Sequence, residues 1–187
     1  MTIYKDNILS PEELLILVDK EDTVIGYENR EGCHQGEGLL HRAFSIFIFN
    51  DQGQLLVQRR GAEKDLWPLY WSNSVCSHPR KGESYEEAAM KRITEELGFE
   101  TPLELLFKFQ YQAQFKNIGS ENEMCAIYIG KTNGVVRANQ SEIAEWKYID
   151  LEKLNKDIVV QPHSYTPWFK MEWERIQTHH RIDIESL

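Results

Sequence analysis

The sequence predicts an α+β fold in which a central mixed β-sheet is flanked by helices. A polar–apolar alternation over residues 105–115 and a return segment at 121–129 predict two long paired strands. A capped amphipathic segment at 84–97 predicts a helix, with further strand patterns before and after it. Strands that are interleaved with helices around a meandering centre are typical of a mixed sheet with helical layers.

The elements before this helix are predicted from short apolar runs and turn residues. Residues 14–18 form an apolar run typical of a strand, whereas the polar, glycine-containing stretch 27–41 predicts a long loop. Aromatic and β-branched residues at 43–49, a following turn and the apolar run at 55–57 predict a hairpin. A further strand is expected at 71–75.

The central helix carries start and stop signals at both ends. Ser84 and Glu87 have the spacing of a capping box, and Gly98 stands where a C-terminal cap belongs. On a helical wheel Arg92 and Glu96 flank an apolar sector, so a basic and an acidic side chain lie at the lip of the core. The apolar sector consists of Ala89, Met90, Ile93 and Leu97.

The long paired strands place two carboxylates on an apolar face. In the return strand Glu121 and Glu123 share one side with Cys125, and carboxylates there are costly unless they are paired or bind a metal. The chain closes with a predicted strand at 146–149 and a predicted helix from residue 167 onward. In the strand predicted at 105–115, which pairs with this return strand, one face consists of Phe107, Phe109, Tyr111, Ala113 and Phe115.

Length and composition exclude several classes of protein. A chain of 187 residues with 41% hydrophobic and 27% charged residues is expected to form one globular domain. The net charge of -9 argues against a nucleic-acid binder, and no apolar run reaches the ~20 residues of a membrane span. Three widely spaced cysteines and no signal-peptide pattern predict a reduced, cytoplasmic protein, which we expect to be a monomer.

A set of histidines and carboxylates predicts a metal site. Three imidazoles and two carboxylates suit Mn²⁺, Zn²⁺ or iron in five- or six-coordination, with room for substrate or water. No short ligand spacing is present, so scattered histidines and a solvated acidic turn are an open alternative. A structural zinc site that uses Cys33 and Cys76 with the histidines is another. The candidate ligands are His34, His41, His78, Glu121 and Glu123.

Basic and aromatic residues add a candidate anion pocket and a candidate apolar pocket. Between residues 59 and 92 Lys and Arg outnumber Asp and Glu, although the whole chain is acidic. Guanidinium groups bind phosphate oxygens in pairs, so this segment suits a diphosphate; surface charges that only aid solubility are the alternative. The aromatic candidates are Trp67, Trp71, Tyr111 and Trp168; most aromatic residues at such positions belong to a plain core, which is the default expectation for Trp67 and Trp71.

The helix and its approach loop resemble the Nudix box, in which helix carboxylates hold Mg²⁺ against a diphosphate. The match is partial, because Ser77 stands where the box has its first glycine, Lys91 replaces an arginine and Arg92 replaces the first catalytic glutamate. An amphipathic helix with a solvated charged face is the alternative interpretation. Loss of that glutamate weakens the case for pyrophosphate hydrolysis.

Beyond this helix the chain resembles the type I isopentenyl-diphosphate isomerases of the Nudix superfamily, which share the Arg92 departure. The resemblance runs from about His34 to Trp168 and implies a Nudix-type α/β/α sandwich with a central mixed sheet and an additional β-hairpin layer. We expect a single domain with a Nudix core at about 41–150, an N-terminal extension at 1–40 and a C-terminal helical segment at 151–187. The matching segments are 40–45, 54–60, 71–79, 82–84, 121–123 and 166–169.

The resemblance also implies roles for individual residues. Cys76 and Glu123 would move protons on opposite faces of an alkene, Tyr111 would orient Glu123, and Trp168 would cover a carbocation. Segments that carry His34 and Trp168 would close over the substrate. The first metal, Mn²⁺, Zn²⁺ or Mg²⁺, would be bound by His34, His41, His78, Glu121 and Glu123. Glu96 would hold a Mg²⁺ that bridges to the diphosphate, whose other ligands would be Arg30, Arg60, Lys64 and Arg92.

Two other functions remain open from the sequence. A Nudix hydrolase of nucleoside diphosphate derivatives would release phosphate from nucleotides and would not need Cys76. A non-catalytic metal-binding module on the same scaffold would bind metal without turnover, and Cys76, Tyr111 and Glu123 would then have no purpose.

Overall fold

The computed structural model describes residues 14–187, which contain nine strands and five helices. In chain order these are β1 (Leu14–Val18), β2 (Val24–Asn29), α1 (Arg30–His34), β3 (His41–Phe49), β4 (Leu55–Arg60), β5 (Trp71–Ser72), β6 (Val75–Ser77), α2 (Tyr85–Leu97), β7 (Leu103–Phe115), β8 (Gly119–Lys131), β9 (Ile143–Ile149), α3 (Leu151–Val160), α4 (Pro167–His179) and α5 (Arg181–Glu185). A single 3-10 turn, Pro162–Ser164, joins α3 to α4. The part of the expected N-terminal extension before residue 14 lies outside the described residues.

Strand β3 is the centre of a mixed sheet. Along one edge it pairs in parallel with β8 over its whole length, beginning with His41 opposite Glu123. Three antiparallel strands share its other edge: β1 at the start, β6 in the middle and β4 at the end. This arrangement sets Ser45 opposite Cys76, so β3 brings the ends of β6 and β8 to the same region.

The predicted long hairpin is confirmed as β7 and β8, which pair antiparallel from Leu103–Gly130 to Phe115–Gly119. Tyr111 lies directly opposite Glu123, so their side chains share a face. That face packs into an apolar cluster that includes Phe109 and Cys125. The two glutamates therefore lie at the edge of a hydrophobic core, as the alternation predicts.

Helices cover both faces of the sheet. Phe44, Ile46 and Ile48 of β3 pack in a cluster with buried residues of α2, such as Ile93. Phe47, between them in sequence, points to the opposite face and packs against the ring of Phe169 in α4, with centroids 5.9 Å apart. The predicted α+β fold with a central mixed sheet between helical layers is confirmed. The β1–β2 hairpin joins the sheet through the pair Leu17–His41.

Helix α2 has the predicted boundaries because its caps are formed. The Ser84 hydroxyl accepts from the Glu87 backbone N–H, and the Glu87 carboxylate accepts from the Ser84 N–H, which completes the capping box. Gly98 adopts the left-handed conformation at φ 76°, which ends the helix. Within residues 14–187 the helices lack the combination of length and apolar character that crossing a membrane requires.

The prediction of a long loop at 27–41 is wrong. This stretch contains the end of β2 and the whole of α1, which begins because the Asn29 side chain accepts a hydrogen bond from the Gly32 N–H. Helix α1 has only five residues, too few for a periodic apolar pattern. Helix α3 lies within the C-terminal helical segment expected at 151–187, and Leu154 is its one buried residue.

The predicted strand at 71–75 is divided into β5 and β6. Asn73 donates to the carbonyl oxygens of Ile46 and Val75, and the Ser74 hydroxyl donates to the carbonyl of Leu56. These side chains replace the strand's own ladder bonds, so the chain can cross from β4 to β3. The crossing places Cys76 and His78 beside β3.

Candidate active site

The five predicted metal ligands come together from four elements. His34 ends α1, His41 begins β3, His78 follows β6, and Glu121 and Glu123 lie two residues apart on β8. One side-chain ligand atom from each of them lies within 4.8 Å of all the others. The parallel pairing of β3 with β8 sets His41 beside Glu123, and sequence spacing gives no sign of that contact.

The histidine rings are oriented for binding through Nε2. The Nδ1 atom of His34 lies 2.6 Å from the Arg30 carbonyl oxygen, and that of His41 lies 2.7 Å from the Leu39 carbonyl oxygen. Because a carbonyl only accepts, each Nδ1 carries the proton and each Nε2 keeps its lone pair. Nε2 of both rings and Oε2 of Glu121 are buried without a hydrogen-bond partner.

These unpartnered atoms are what a divalent cation requires. Nε2 of His34 and Oε2 of Glu121 are 2.7 Å apart but outside hydrogen-bond geometry, so both are directed at a common centre. Nε2 of His78 lies 2.8 Å from Oε1 of Glu123. Buried polar atoms without partners are costly, and three imidazoles with two carboxylates are a suitable ligand set for Mn²⁺ or Zn²⁺. The residues fit a metal.

Burial keeps two of the three imidazoles neutral, as metal binding requires. It lowers the pKa of His41 to about 4 and the pKa of His78 well below its usual value; neighbouring histidines add to both shifts. Burial also opposes ionisation of Glu121, but the adjacent His34 ring lowers its pKa to about 2.

The structure argues against the structural zinc alternative. The Cys33 thiol is directed at the Glu28 carbonyl oxygen, 3.9 Å away, and the Cys76 thiol is contacted by Arg60. Within residues 14–187, the group of side chains close enough to share an ion contains histidines and glutamates but neither thiol.

Glu123 faces two ways, and Tyr111 holds one of its oxygens. The Tyr111 hydroxyl donates to Oε2 at 2.5 Å, while Oε1 faces His78 and His41. Burial and the nearby charge of Glu121 raise the pKa of Glu123 well above its usual value. A protonated carboxyl group at this position is a proton donor, and its ionised form is a base.

Cys76 and Trp168 line the same cavity as Glu123. Burial raises the pKa of the Cys76 thiol to about 11, although Arg60, whose Nη1 lies 3.5 Å from the sulfur, opposes this. The thiol is therefore protonated at neutral pH. Trp168 is 3% exposed; its indole N–H donates to the Ser72 hydroxyl at 3.1 Å, and the edge of Trp67 packs against it. Trp67 belongs to the hydrophobic core and does not line the cavity, as the core alternative predicts.

The predicted diphosphate ligands form the basic part of this cavity. Arg60 is buried and donates to the carbonyl oxygens of Leu66 and Trp67, which fixes its guanidinium over the Trp168 ring at 5.0 Å. Arg80, which follows His78, also lines the cavity. The predicted cations that line it are Arg30, Arg60, Lys64 and Arg92.

The acidic side chains near Arg92 include one that sequence reasoning missed. Glu96 is 2% exposed and accepts from Arg92 at 2.5 Å, and burial raises its pKa. Glu142 lines the cavity, forms an ion pair with Lys64 and lies 3.3 Å from Arg92. Only the pairing of β4 with β9 brings Glu142 to this position, so the sequence offers no motif for it.

Comparison with known proteins identifies the family. The NUDIX domain model matches residues 39–169. Isopentenyl-diphosphate Delta-isomerase 1 of Photorhabdus laumondii is 39% identical over 171 residues, which cover 90% of this chain and 97% of the relative. The chain belongs to the isopentenyl-diphosphate isomerases of the Nudix superfamily. The isomerase of Serratia proteamaculans is 42% identical over 158 residues, which cover 84% of this chain and 88% of that protein.

Solved structures agree with membership of the Nudix superfamily at the level of the fold. A Deinococcus radiodurans protein has a TM-score of 0.66 and 27% sequence identity, and the match covers 79% of this chain and 90% of the other. The MutT protein of Methanosarcina mazei has a TM-score of 0.63 at 17% identity, with coverage of 75% and 95%. The isomerase family and the Nudix fold that the sequence motifs predict are both confirmed.

Proposed function

We propose that this protein interconverts isopentenyl diphosphate and dimethylallyl diphosphate by a 1,3-proton shift. One observation carries the proposal: a single cavity is lined by Cys76, Glu123 and Trp168 and also by a group of cations. An isomerase of this kind must hold a diphosphate and move protons at an alkene a few ångströms away. A hydrolase needs no thiol in this place.

The reaction needs a donor and an acceptor of protons. A proton is added to the terminal alkene carbon, which leaves a tertiary carbocation, and loss of a proton from the carbon nearer the diphosphate forms the new double bond. Of Cys76 and Glu123, one donates the first proton and the other accepts the second. An unactivated alkene is a weak base, so the donor must be held in place in a dry site.

Tyr111 and Trp168 support these steps. The Tyr111 hydroxyl orients Glu123 by donating to one of its oxygens. The indole face of Trp168 stabilises the carbocation, a cation–π contact worth about 2 kcal/mol when desolvated. Trp168 is 3% exposed, so its position on α4 helps to keep water away from the cation. Closure of the segments that carry His34 and Trp168 over the substrate stays a prediction.

The diphosphate is held by the basic part of the cavity. Arg30, Arg60, Lys64 and Arg92 bind its oxygens, since guanidinium groups form paired charge-assisted hydrogen bonds with phosphate. Glu96 is the carboxylate that would hold the accompanying Mg²⁺. Its position one helical turn from Arg92 supports that role.

The His–Glu group would hold a second divalent cation, Mn²⁺, Zn²⁺ or Mg²⁺. When bound, the cation would offset the repulsion between Glu121 and Glu123 and would make the Glu123 proton more acidic. Removal of His41 is expected to abolish binding at this site, which metal analysis of purified His41→Ala protein measures. His163→Ala, in the 3-10 turn, is the matched control and should keep the wild-type metal content.

The setting that we propose is a cytoplasmic monomer with a small diphosphate substrate and with neither nucleic-acid nor membrane partners. Cys33, Cys76 and Cys125 are free, which suits a reducing compartment. The acidic net charge of -9 supports a small anion bound in a local basic pocket rather than a nucleic acid bound over a surface.

The activity is tested by incubating the metal-loaded protein with isopentenyl diphosphate and Mg²⁺ in D₂O and following the allylic signals by NMR. We expect dimethylallyl diphosphate to form with deuterium in the product. Phosphate release from nucleotide substrates without isomerisation would instead support the hydrolase alternative. Metal binding without either reaction would support a non-catalytic module.

A further inference from the structure

The carboxylate of Glu142 is paired with two of the cations that would bind the diphosphate, Lys64 and Arg92. Its carboxylate forms an ion pair with Lys64, and its Oε1 lies 3.3 Å from Nη2 of Arg92. Both partners line the cavity, and about three-quarters of each of the three side chains is shielded from solvent. An acidic side chain therefore stands where an anionic ligand is expected to bind.

The backbone holds Glu142 firmly in this place. Its carbonyl oxygen accepts from the Gly61 N–H at 2.8 Å, and Gly61 begins the turn that carries Lys64. A Cβ atom at Gly61 would lie 3.0 Å from that same oxygen, so a larger residue would crowd this approach. Glu142 also donates its N–H to Asn139, whose own N–H donates to the Glu96 carbonyl. Backbone hydrogen bonds thus connect the segment of Glu142 to the turn that carries Lys64 and to the helix that carries Arg92.

Arg92 joins Glu142 to Glu96. The same guanidinium nitrogen, Nη2, lies 2.5 Å from Glu96 and 3.3 Å from Glu142, so the two carboxylates lie close to one another. Burial opposes ionisation of Glu142, but Lys64 holds its pKa below the usual value. Lys64 and Arg92 form a nearly neutral set with Glu96 and Glu142, so these two cations by themselves attract a bare diphosphate only weakly. A divalent cation changes that balance, because it attracts both the carboxylates and the diphosphate.

We propose that Glu142 is an internal counter-anion of the diphosphate site: it holds Lys64 and Arg92 until the diphosphate displaces it, and it then binds the Mg²⁺ of the diphosphate together with Glu96. The proposal deepens the proposed function and rests on it for the location of the diphosphate. Through Glu142, acting with Glu96, diphosphate binding depends on Mg²⁺.

The test is calorimetric binding of inorganic pyrophosphate to the metal-loaded protein, with and without added Mg²⁺. Without Mg²⁺, Glu142→Gln should bind pyrophosphate about tenfold more tightly than the wild type, because the competing anion is gone. With saturating Mg²⁺ it should bind several-fold more weakly than the wild type, because a ligand is missing. Glu145→Gln, further along β9 and paired with the exposed Arg59, is the control and should match the wild type in both conditions.

The proposal is supported if Glu142→Gln binds pyrophosphate more tightly than the wild type without Mg²⁺ and more weakly with it. An equal change in both conditions, or no change, would overturn it. Glu142→Asp, which keeps the charge but shortens its reach, should shift both affinities in the same directions by less, and it provides a second variant should Glu142→Gln unfold. Pyrophosphate has no alkene, so this binding test is independent of the isomerase assay. The protein can isomerise its substrate although Glu142→Gln leaves pyrophosphate binding unchanged. Equally, Glu142→Gln can change pyrophosphate binding although the protein does not isomerise.

Discussion

At the scale of single residues, the site depends on side chains whose hydrogen bonds leave one atom free for chemistry. Nδ1 of His34 and of His41 is tied to a backbone carbonyl, which leaves Nε2 of each for a metal. Glu123 follows the same rule, since Tyr111 binds Oε2 and leaves Oε1 towards the histidines. Partners of this kind fix the protonation and direction of a ligand, and their loss typically costs about 10- to 100-fold in activity or metal affinity.

Tyr111→Phe tests this arrangement. We expect kcat to fall by about 10- to 100-fold with little change in KM, because the phenol orients Glu123 but is not a diphosphate ligand. Steady-state kinetics measure both constants. Tyr148→Phe is the control, because the Tyr148 hydroxyl is buried without a partner and lies on the other face of the sheet; it should keep the wild-type rate. Equal losses in the two variants would contradict the role of Tyr111.

At the scale of elements, α4 is fastened to the sheet by a buried acid. Glu172 is 0% exposed, accepts from the Ser45 hydroxyl at 2.8 Å and has no partner for Oε2. It lies one turn after Trp168 on the same helix, so its contact with β3 helps to hold the indole over the cavity. Burial raises the pKa of Glu172 to about 8. The helix thus docks through a carboxyl group that the fold keeps protonated.

Glu172→Gln is expected to remove a pH dependence of stability. The unfolded chain ionises this carboxyl near its usual value of 4.5, whereas the folded chain retains the proton up to about pH 8. Folding therefore binds a proton in this window, and the wild-type free energy of unfolding falls as pH rises through it. The difference between variant and wild type should be smallest below pH 4.5 and grow in favour of the variant by roughly 3 kcal/mol near neutral pH.

Chemical denaturation at a series of pH values measures this difference. Glu174→Gln, on the exposed side of the same helix, should follow the wild-type curve. A constant offset between Glu172→Gln and the wild type across the window would show that Glu172 is ionised in the folded protein.

Local signals decide which elements could be predicted. The alternation of β7, and the Ser84–Glu87 box with Gly98 around α2, act within a few residues, so the sequence alone locates them. Helix α1 depends on one cap at Asn29, and the break at Asn73 depends on carbonyl oxygens contributed by other strands. These contacts exist only after the sheet forms, and a periodic pattern cannot reveal them.

At the scale of the whole molecule, the fold concentrates positive charge in one cavity of an acidic protein. The net charge is -9, yet five cations, Arg30, Arg60, Lys64, Arg80 and Arg92, line the same cavity. Low-dielectric walls strengthen such a local field, so the cavity attracts a diphosphate that the rest of the surface repels. The histidines and carboxylates of the metal group could be proposed from the sequence, but the place of Glu142 could not, because it depends on how β4 and β9 pair.

This charge distribution predicts a specific response to salt. As ionic strength rises at constant Mg²⁺, KM for isopentenyl diphosphate should increase several-fold while kcat changes by less than about twofold, because salt screens capture of the anion but not the buried chemistry. Initial-rate measurements over a range of KCl concentrations follow both constants. Lys64→Gln should raise KM at low salt and flatten its dependence on salt. A fall in kcat at constant KM would contradict the assignment of these cations to binding.

The central claim is that Cys76 and Glu123 move the protons of the isomerisation, and deuterium incorporation measures it most directly. In D₂O with Mg²⁺, NMR should show labelled dimethylallyl diphosphate with the wild type and with Cys125→Ala, whose thiol lies outside the cavity. Cys76→Ala and Glu123→Gln should each be slower by about 1,000-fold or more, since each loses one of the two proton transfers. Full activity in both of these variants would contradict the proposed mechanism.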